Sequence, residues 1–225
     1  RRLPSSGYIR NTSDNLDRII RYLKPVKPDI IGLVEVDSGS FRSNRLSQAE
    51  AIAGALGHFH SYGCKYNQPI VARLLPILRN QGNAFISKDS IFSEKFHYFE
   101  RGFKRLVIEL ELDKLVVFLV HLSLGYKARH HQMEALHALV KKARKPHIVA
   151  GDFNVMGGVK EMNLFCAATG LKSVNEAHEP SYPSWAPARQ LDFILHSQGL
   201  KPTGFHIPKV HFSDHLPLVC DFDIA

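Results

Sequence analysis

Cysteine is scarce in this chain. Cys64, Cys166 and Cys220 are odd in number, far apart and without a CxxC pair, which argues against a disulfide framework and a zinc ribbon. A reducing, cytoplasmic setting is the expectation that follows. Long hydrophobic runs are also missing: the longest, Leu115 to Val120, falls far short of the roughly 20 residues of a membrane-spanning helix and reads as a buried strand. There is no internal repeat, no low-complexity tract and no Pro/Gly/Ser linker long enough to divide the chain, so a single domain over 1–225 is expected. Acidic side chains are outnumbered, 21 Asp and Glu against 29 Lys and Arg, leaving a net charge of +8. That excess favours polyanionic partners such as nucleic acid, phospholipid headgroups or phosphorylated small molecules, with solubility alone as the plain alternative.

What is present is an ordinary globular composition, 44% hydrophobic and 22% charged over 225 residues, enough to bury a sizeable core. The first residue is Arg, and the opening stretch reads as a loop, so the sequence reads as a fragment that lacks its natural start. Ser13 or Asp14 can cap a helix running to about Lys24, with Leu16, Ile19, Ile20 and Leu23 at helical spacing and Pro25 just beyond. Two more helices are predicted: Arg45 to Leu56, closed by Gly57, and Ala128 to Lys142, with Met133, Leu136 and Val140 on one face. Strands are predicted in "DIIGLVEVD", "GNAFISK", "HIVAGDF", "LDFILHS" and "HLPLVCDF". "LVIELEL" and "LVVFLVHLS" read as a hairpin turning at Asp113 and Lys114. This mixture suits two packed sheets flanked by helices.

Several apolar runs end in polar groups: Glu35 after "IIGLV", His121 after "LVVFLV" and Asp152 after "HIVAG". Asp192 falls inside "RQLDFIL", and Ser213, Asp214 and His215 are expected to open the last strand. An ionised carboxylate at the lip of an apolar strand needs a metal, a base or solvent as partner. Strand ends on one rim of a rigid scaffold can bring such residues together from far apart in sequence.

Six segments in order carry a resemblance: "PDIIGLVEVD" at 28 to 37, "GNAFISK" at 82 to 88, "VHLSLGYKARHHQMEAL" at 120 to 136, "GDFNV" at 151 to 155, "YPSWAPARQLDFIL" at 182 to 195 and "SDHLPLV" at 213 to 219. Together they resemble the endonuclease/exonuclease/phosphatase superfamily almost end to end. The resemblance implies a four-layer α/β/β/α sandwich of two mixed sheets. It also implies divalent-metal-dependent hydrolysis of a phosphodiester or phosphomonoester, with Mg2+ as cofactor and Mn2+ as an alternative.

By that resemblance Glu35 is the principal magnesium ligand, and Asp214 lies beside the metal. Asp152 orients or deprotonates the attacking water, while Asn154, being neutral, can donate to a phosphoryl oxygen without repulsion. The competing reading of Asp152 is an Asx-type turn that satisfies local amides. His215 is the catalytic histidine held by the Asp192 carboxylate, and His121 assists near the leaving group. Arg105 and Asn83 match substrate contacts. For a lone histidine on a strand a core role would be the better reading; the company of His121 reverses that. His130 and His131 read as helix surface and the cysteines as buried small hydrophobes. Zinc is not expected, because neither HExxH nor paired Cys/His spacing occurs among the 13 histidines.

Two departures from the family pattern stand out. The strand that usually opens the fold and brings an asparagine to the metal has no counterpart in the sequence, and Val34 replaces the glutamine that often precedes the metal glutamate. The expected partners are a phosphoester, nucleic acid, a small phosphorylated molecule or a phospholipid headgroup, taken by a monomer without a transmembrane segment. Substrate choice is assigned to segments such as 38 to 45 and 61 to 80, which match no motif. The alternative of a different class is an impaired relative that binds nucleic acid or phospholipid without turnover.

Overall fold

Leu16, Ile19, Ile20 and Leu23 face one side of a helix, Ser13–Val26 (α1), and meet Ile52 and Ala53 of a second helix and Ile86 of a strand in one apolar cluster. The second helix, Gln48–Leu56 (α2), starts where Ser47 turns extended and accepts from the Glu50 amide at 3.4 Å. It stops where Gly57 takes the left-handed φ of 70°. These contacts belong to a computed structural model that describes residues 13–39, 47–64, 81–102 and 104–224. It divides into two compact units, one within 1–90 and one within 91–225.

In the first unit Ile30–Asp37 (β1), Phe59–Cys64 (β2) and Gln81–Ser87 (β3) form an antiparallel sheet in the order β1-β3-β2. β3, paired on both edges, is buried at every position although Gln81, Asn83 and Ser87 are polar. The pairing of β1 slips between Leu33 and Val36, a bulge that falls on Glu35.

The second unit is built on six strands. Ser93–Tyr98 (β4), Leu106–Glu111 (β5), Val116–His121 (β6), His147–Asp152 (β7), Lys172–Ser173 (β8) and Asp192–His196 (β9) lie in the order β4-β5-β6-β7-β9-β8. β5 and β6 form the expected hairpin, closed by the Leu112 amide donating to the Leu115 carbonyl at 2.8 Å. β6 and β7 run parallel, so the chain between them must cross over, and it does so through the helix Tyr126–Val140 (α3). Met133, Leu136 and Val140 on α3, with Met162 and Phe165 on the helix Lys160–Thr169 (α4), pack against Phe118, Val120, Val149 and Phe193. Full burial of each such side chain stabilises the fold by about 1.5–3 kcal/mol. Leu200–His206 (β10) and Val219–Ile224 (β11) form a separate antiparallel pair.

Several boundaries differ from the sequence reading. Pro25 lies inside the last turn of α1, and the Lys27 amide closes the helix on Leu23 at 2.9 Å. α3 begins two residues before Ala128. α2 begins at Gln48, and Arg45 lies outside the described residues, as do 40–45 and 65–80 of the segments expected to choose substrate. Ser213 to His215 do not open the last strand: the Ser213 hydroxyl donates to the His215 carbonyl at 2.9 Å and accepts from its amide at 3.1 Å, curling the segment into a turn four residues short of β11. Asp192 is the first residue of its strand rather than interior to it. Cys166 and Cys220 are free thiols and only half-buried. Burial pushes the Cys166 thiol up, and burial with the Asp221 charge takes Cys220 to about 11. No helix among the described residues is long and apolar enough to cross a membrane.

Candidate active site

His121 closes β6, Asp152 closes β7 and Asp192 opens the antiparallel β9. Strand register sets the three side by side, His121 opposite Asp152 and Asp152 opposite Asp192, on one rim of the sheet. Gly151 makes this approach possible. At φ 139° it passes so close to β6 that a Cβ would fall 1.9 Å from the Val120 carbonyl oxygen, so only glycine fits before Asp152.

Asp152 is buried, accepts two hydrogen bonds from Asn154 and lies within ion-pair distance of His121. The Asn154 amide reaches Oδ1 at 2.9 Å, the Asn154 side-chain Nδ2 reaches Oδ2 at 2.8 Å, and His121 Nε2 lies 3.2 Å from Oδ2. The Asx turn weighed against a catalytic Asp152 is therefore formed, and the same turn fixes the carboxylate. Asn154 Nδ2 also donates to the Leu122 carbonyl at 2.9 Å, and its residue sits at φ 52°, a left-handed conformation that Asn adopts more readily than most. Lys104 Nζ contacts the same His121 Nε2.

The second pair is Asp192 and His215, with Asp192 Oδ2 2.7 Å from His215 Nδ1. The same oxygen accepts from the Ser181 hydroxyl at 2.5 Å, and the Tyr182 ring packs 4.8 Å from the imidazole. Burial pulls the His215 pKa down, but Asp192, with Asp152 and Asp214 behind it, outweighs this and raises it to about 9. Burial pushes the Asp192 carboxyl up while His215 and Ser181 pull it down. With two donors on one oxygen, the direction that governs the pair is upward for the imidazole. Asp214 is exposed beside His215, and its carbonyl accepts from the Ser184 amide at 2.7 Å.

The second unit thus gathers His121, Asp152, Asn154, Asp192, Asp214 and His215. Glu35 and Asn83 meet in the first: Glu35 sits exposed on the β1 bulge at φ 60°, and its amide donates to Asn83 Oδ1 at 3.4 Å. Asn83 is buried and its Nδ2 has no hydrogen-bond partner among the described residues. Arg105 is half-buried just before β5. The side-chain contact with His121 comes from its neighbour Lys104, because adjacent residues of an extended chain point to opposite faces. Lys104, Ser181 and Tyr182 are the site residues that sequence reasoning misses. For Ser181 and Tyr182 the signal was at hand, since both precede the Asp192 segment in a Pro-rich stretch that no regular element explains.

Among the described residues no three His, Cys, Asp or Glu side chains converge on a metal-holding point. A closed zinc-type cage is not how magnesium is held; that ion takes one or two carboxylates and keeps its waters. The exposed carboxylates of Glu35 and Asp214 are hard oxygen donors of that kind, and the buried Asn83 amide beside Glu35 adds a neutral polar group. Glu35 in the first unit and Asp214 in the second are each of the donor type that such an ion takes.

The sequence profile described as the Endonuclease/Exonuclease/phosphatase family matches residues 6–215. No curated protein matches the sequence. Among solved structures, a mannosyl-6-phosphatase of Bacteroides thetaiotaomicron is similar at a TM-score of 0.74 and 15% identity, covering 99% of this chain and 96% of that one. The human Nocturnin catalytic domain with bound sulfate anion is similar at 0.67 and 20%, covering 97% and 91%. A humanized D. rerio TDP2 is similar at 0.70 and 15%, covering 95% and 93%. At these identities the likeness shows the fold, which is the α/β class expected from the sequence. With the profile spanning nearly the whole chain and the fold in agreement, the protein belongs to the endonuclease/exonuclease/phosphatase family.

Proposed function

We propose that this chain is a divalent-metal-dependent phosphoesterase that hydrolyses a phosphodiester or phosphomonoester by in-line attack of an activated water. The observation that carries the reading is the register of His121, Asp152 and Asp192 on one sheet rim, with His215 Nδ1 2.7 Å from the Asp192 carboxylate. A rigid rim of this kind supplies both a base and a fixed positive charge without reorganisation at the moment of reaction.

Asp152 is the base. It orients the attacking water and takes its proton. His215, its Nδ1 engaged by Asp192, presents Nε2 to a phosphoryl oxygen and stabilises the charge that develops there. Asn154 reaches the same oxygens by exchanging one of its two present acceptors, Asp152 or Leu122, for the substrate. His121, in contact with Asp152 and Lys104, serves the leaving oxygen. Glu35 would be the principal ligand of the cation, Mg2+ or Mn2+, whose contribution is to neutralise phosphate charge, and Asp214 is the carboxylate that the resemblance sets beside that ion. The positive net charge of the chain draws the anionic substrate in.

Nucleic acid, small phosphate monoesters and phospholipid headgroups are the substrate classes this centre would accept. A screen of bis(p-nitrophenyl) phosphate, p-nitrophenyl phosphate and single-stranded and duplex DNA, each with magnesium, manganese or chelator, tests the reading. Turnover with metal and none with chelator is expected. Tight binding of nucleic acid or anionic vesicles with no turnover of any of them would instead make the chain a binding module.

A further inference from the structure

Leu124 and Tyr126, on the segment that follows His121, are 56% and 61% exposed. Scattered apolar residues on a surface are ordinary, but these two are held where they stand. Arg129, 2% exposed, donates Nη1 to the Ser123 carbonyl at 3.2 Å and to the Leu124 carbonyl at 2.6 Å, and Gln132 accepts from the Ser123 amide at 2.8 Å. Glu161 holds the same guanidinium at 2.8 and 2.9 Å. The core thus fixes the backbone of this segment and leaves its apolar side chains in water. The mechanism above uses neither of them.

The surface around them is basic. A cavity of about 280 Å³ is lined by Arg101, Tyr126, Lys127, Ala128, His130 and His131, and no carboxylate lines it among the described residues. Arg101 Nη1 is 3.1 Å from His131 Nε2. Lys104 and Arg105 follow on the same stretch, which Gln132 ties to the Leu124 segment through the carbonyls of Arg101 and Lys104. Glu100 precedes Arg101, and Glu134, one turn further along α3, faces both imidazoles at 3.4 Å. Four cations, Arg101, Lys104, Arg105 and Lys127, outnumber these two acids.

The chemistry of this face selects its partner. Guanidinium and ammonium groups call for an anion, and an aliphatic side chain two residues from the cavity calls for hydrocarbon. Nucleic acid supplies the anion and offers Leu124 nothing. A base stacking on Tyr126 would also compete with the partners this ring already has: His130 lies nearly parallel, 6.1 Å between centroids, and the Arg129 guanidinium is 6.0 Å from its centre. A soluble phosphate ester lacks the hydrocarbon as well. A phospholipid surface carries both, with phosphate at the level of the basic groups, acyl chain beneath it for a leucine, and between the two the boundary at which tyrosine rings settle.

We propose that this face, Leu124 and Tyr126 bordered by Arg101, Lys127, His130 and His131, docks on an anionic phospholipid bilayer. Docking requires no turnover, so the proposal stands independently of the phosphoesterase reading.

Co-sedimentation with vesicles of phosphatidylcholine alone, and of equal parts phosphatidylcholine and phosphatidylserine, tests it. The wild-type chain is expected to bind the mixed vesicles about tenfold tighter or more than the neutral ones, and added salt should release it. Arg101→Ala and Lys127→Ala should each weaken binding to mixed vesicles about fivefold. Leu124→Ser should weaken it about tenfold and leave the salt dependence in place. All three positions are exposed, so misfolding is not at issue. No binding to mixed vesicles, equal binding to both kinds, or binding that Leu124→Ser leaves unchanged would overturn the proposal. Duplex DNA affinity that falls in Lys127→Ala and Arg101→Ala while vesicle binding holds would make this a nucleic-acid surface instead, and glycerol 3-phosphate bound as tightly as the vesicles would make it a small-anion site. Vesicle binding without turnover of bis(p-nitrophenyl) phosphate removes the phosphoesterase reading alone, and turnover without vesicle binding removes the docking face alone.

Discussion

Asp152 and Asp192 stand opposite each other across antiparallel strands, two carboxylates on neighbouring positions of one rim, and each has its own histidine: His121 at 3.2 Å from the first, His215 at 2.7 Å from the second. Like charges directly opposite on a sheet repel. The two imidazoles, the Ser181 hydroxyl and the Asn154 donors offset that repulsion, which is why removing any of them should be felt by the others.

His215 and Asp192 should therefore behave as one unit. His215→Ala is expected to lower kcat strongly, Asp192→Asn less so, and the double variant should be scarcely worse than His215→Ala alone. Steady-state kinetics of the three variants checks this. Additive losses would mean that the two residues act separately.

Stability should fall as pH rises across the His215 titration. The imidazole has its usual value of 6.5 when unfolded and about 9 when folded. The folded state then binds more protons between those values, the His215 contribution is fully present below about 6.5, and it is lost progressively as pH approaches 9. Urea denaturation at stepped pH should show this decline, and His215→Gln should flatten it within the same window.

Much of this arrangement was legible in the sequence. Long apolar runs such as "LVVFLV" and "HIVAG" are buried strands whatever surrounds them, and the polar residues that end them had to emerge on a rim. Other elements left weak traces. α4 has no side-chain cap at its start, Val159 being the residue there, and β4 is an exposed polar strand, "SEKFHY", whose place on the sheet edge comes from pairing with β5 rather than from its own pattern. Asp192 reads as interior to a strand until pairing with β7 shows where that strand starts. Lys104 escaped because its contact with His121 depends on which of two adjacent basic side chains turns inward.

A buried amide organises that region. Gln132, 1% exposed, accepts from the Ser123 amide at 2.8 Å and donates to the carbonyls of Arg101 and Lys104 at 2.9 and 2.6 Å. It ties the segment carrying Lys104 to the segment that follows His121. Gln132→Leu leaves these backbone groups without a partner and should cost about 1–3 kcal/mol per orphaned group in chemical denaturation. A change near zero would show that water replaces the amide freely.

Glu35→Gln removes charge with little change of volume at an exposed position. The metal concentration needed for half-maximal activity should rise well above that of the wild type, while the denaturation curve stays in place. An unchanged metal requirement would take Glu35 out of the cation site.

The central claim is that Asp152, fixed by His121 and Asn154, is the base of a metal-dependent phosphoester hydrolysis. Asp152→Asn keeps the shape of the side chain and removes its ability to accept a proton, so the most direct measurement is kcat on bis(p-nitrophenyl) phosphate with magnesium for this variant against the wild type, at matched far-ultraviolet circular dichroism. The account predicts a loss of about 10²–10⁴-fold in a folded protein. Wild-type turnover in Asp152→Asn would contradict it.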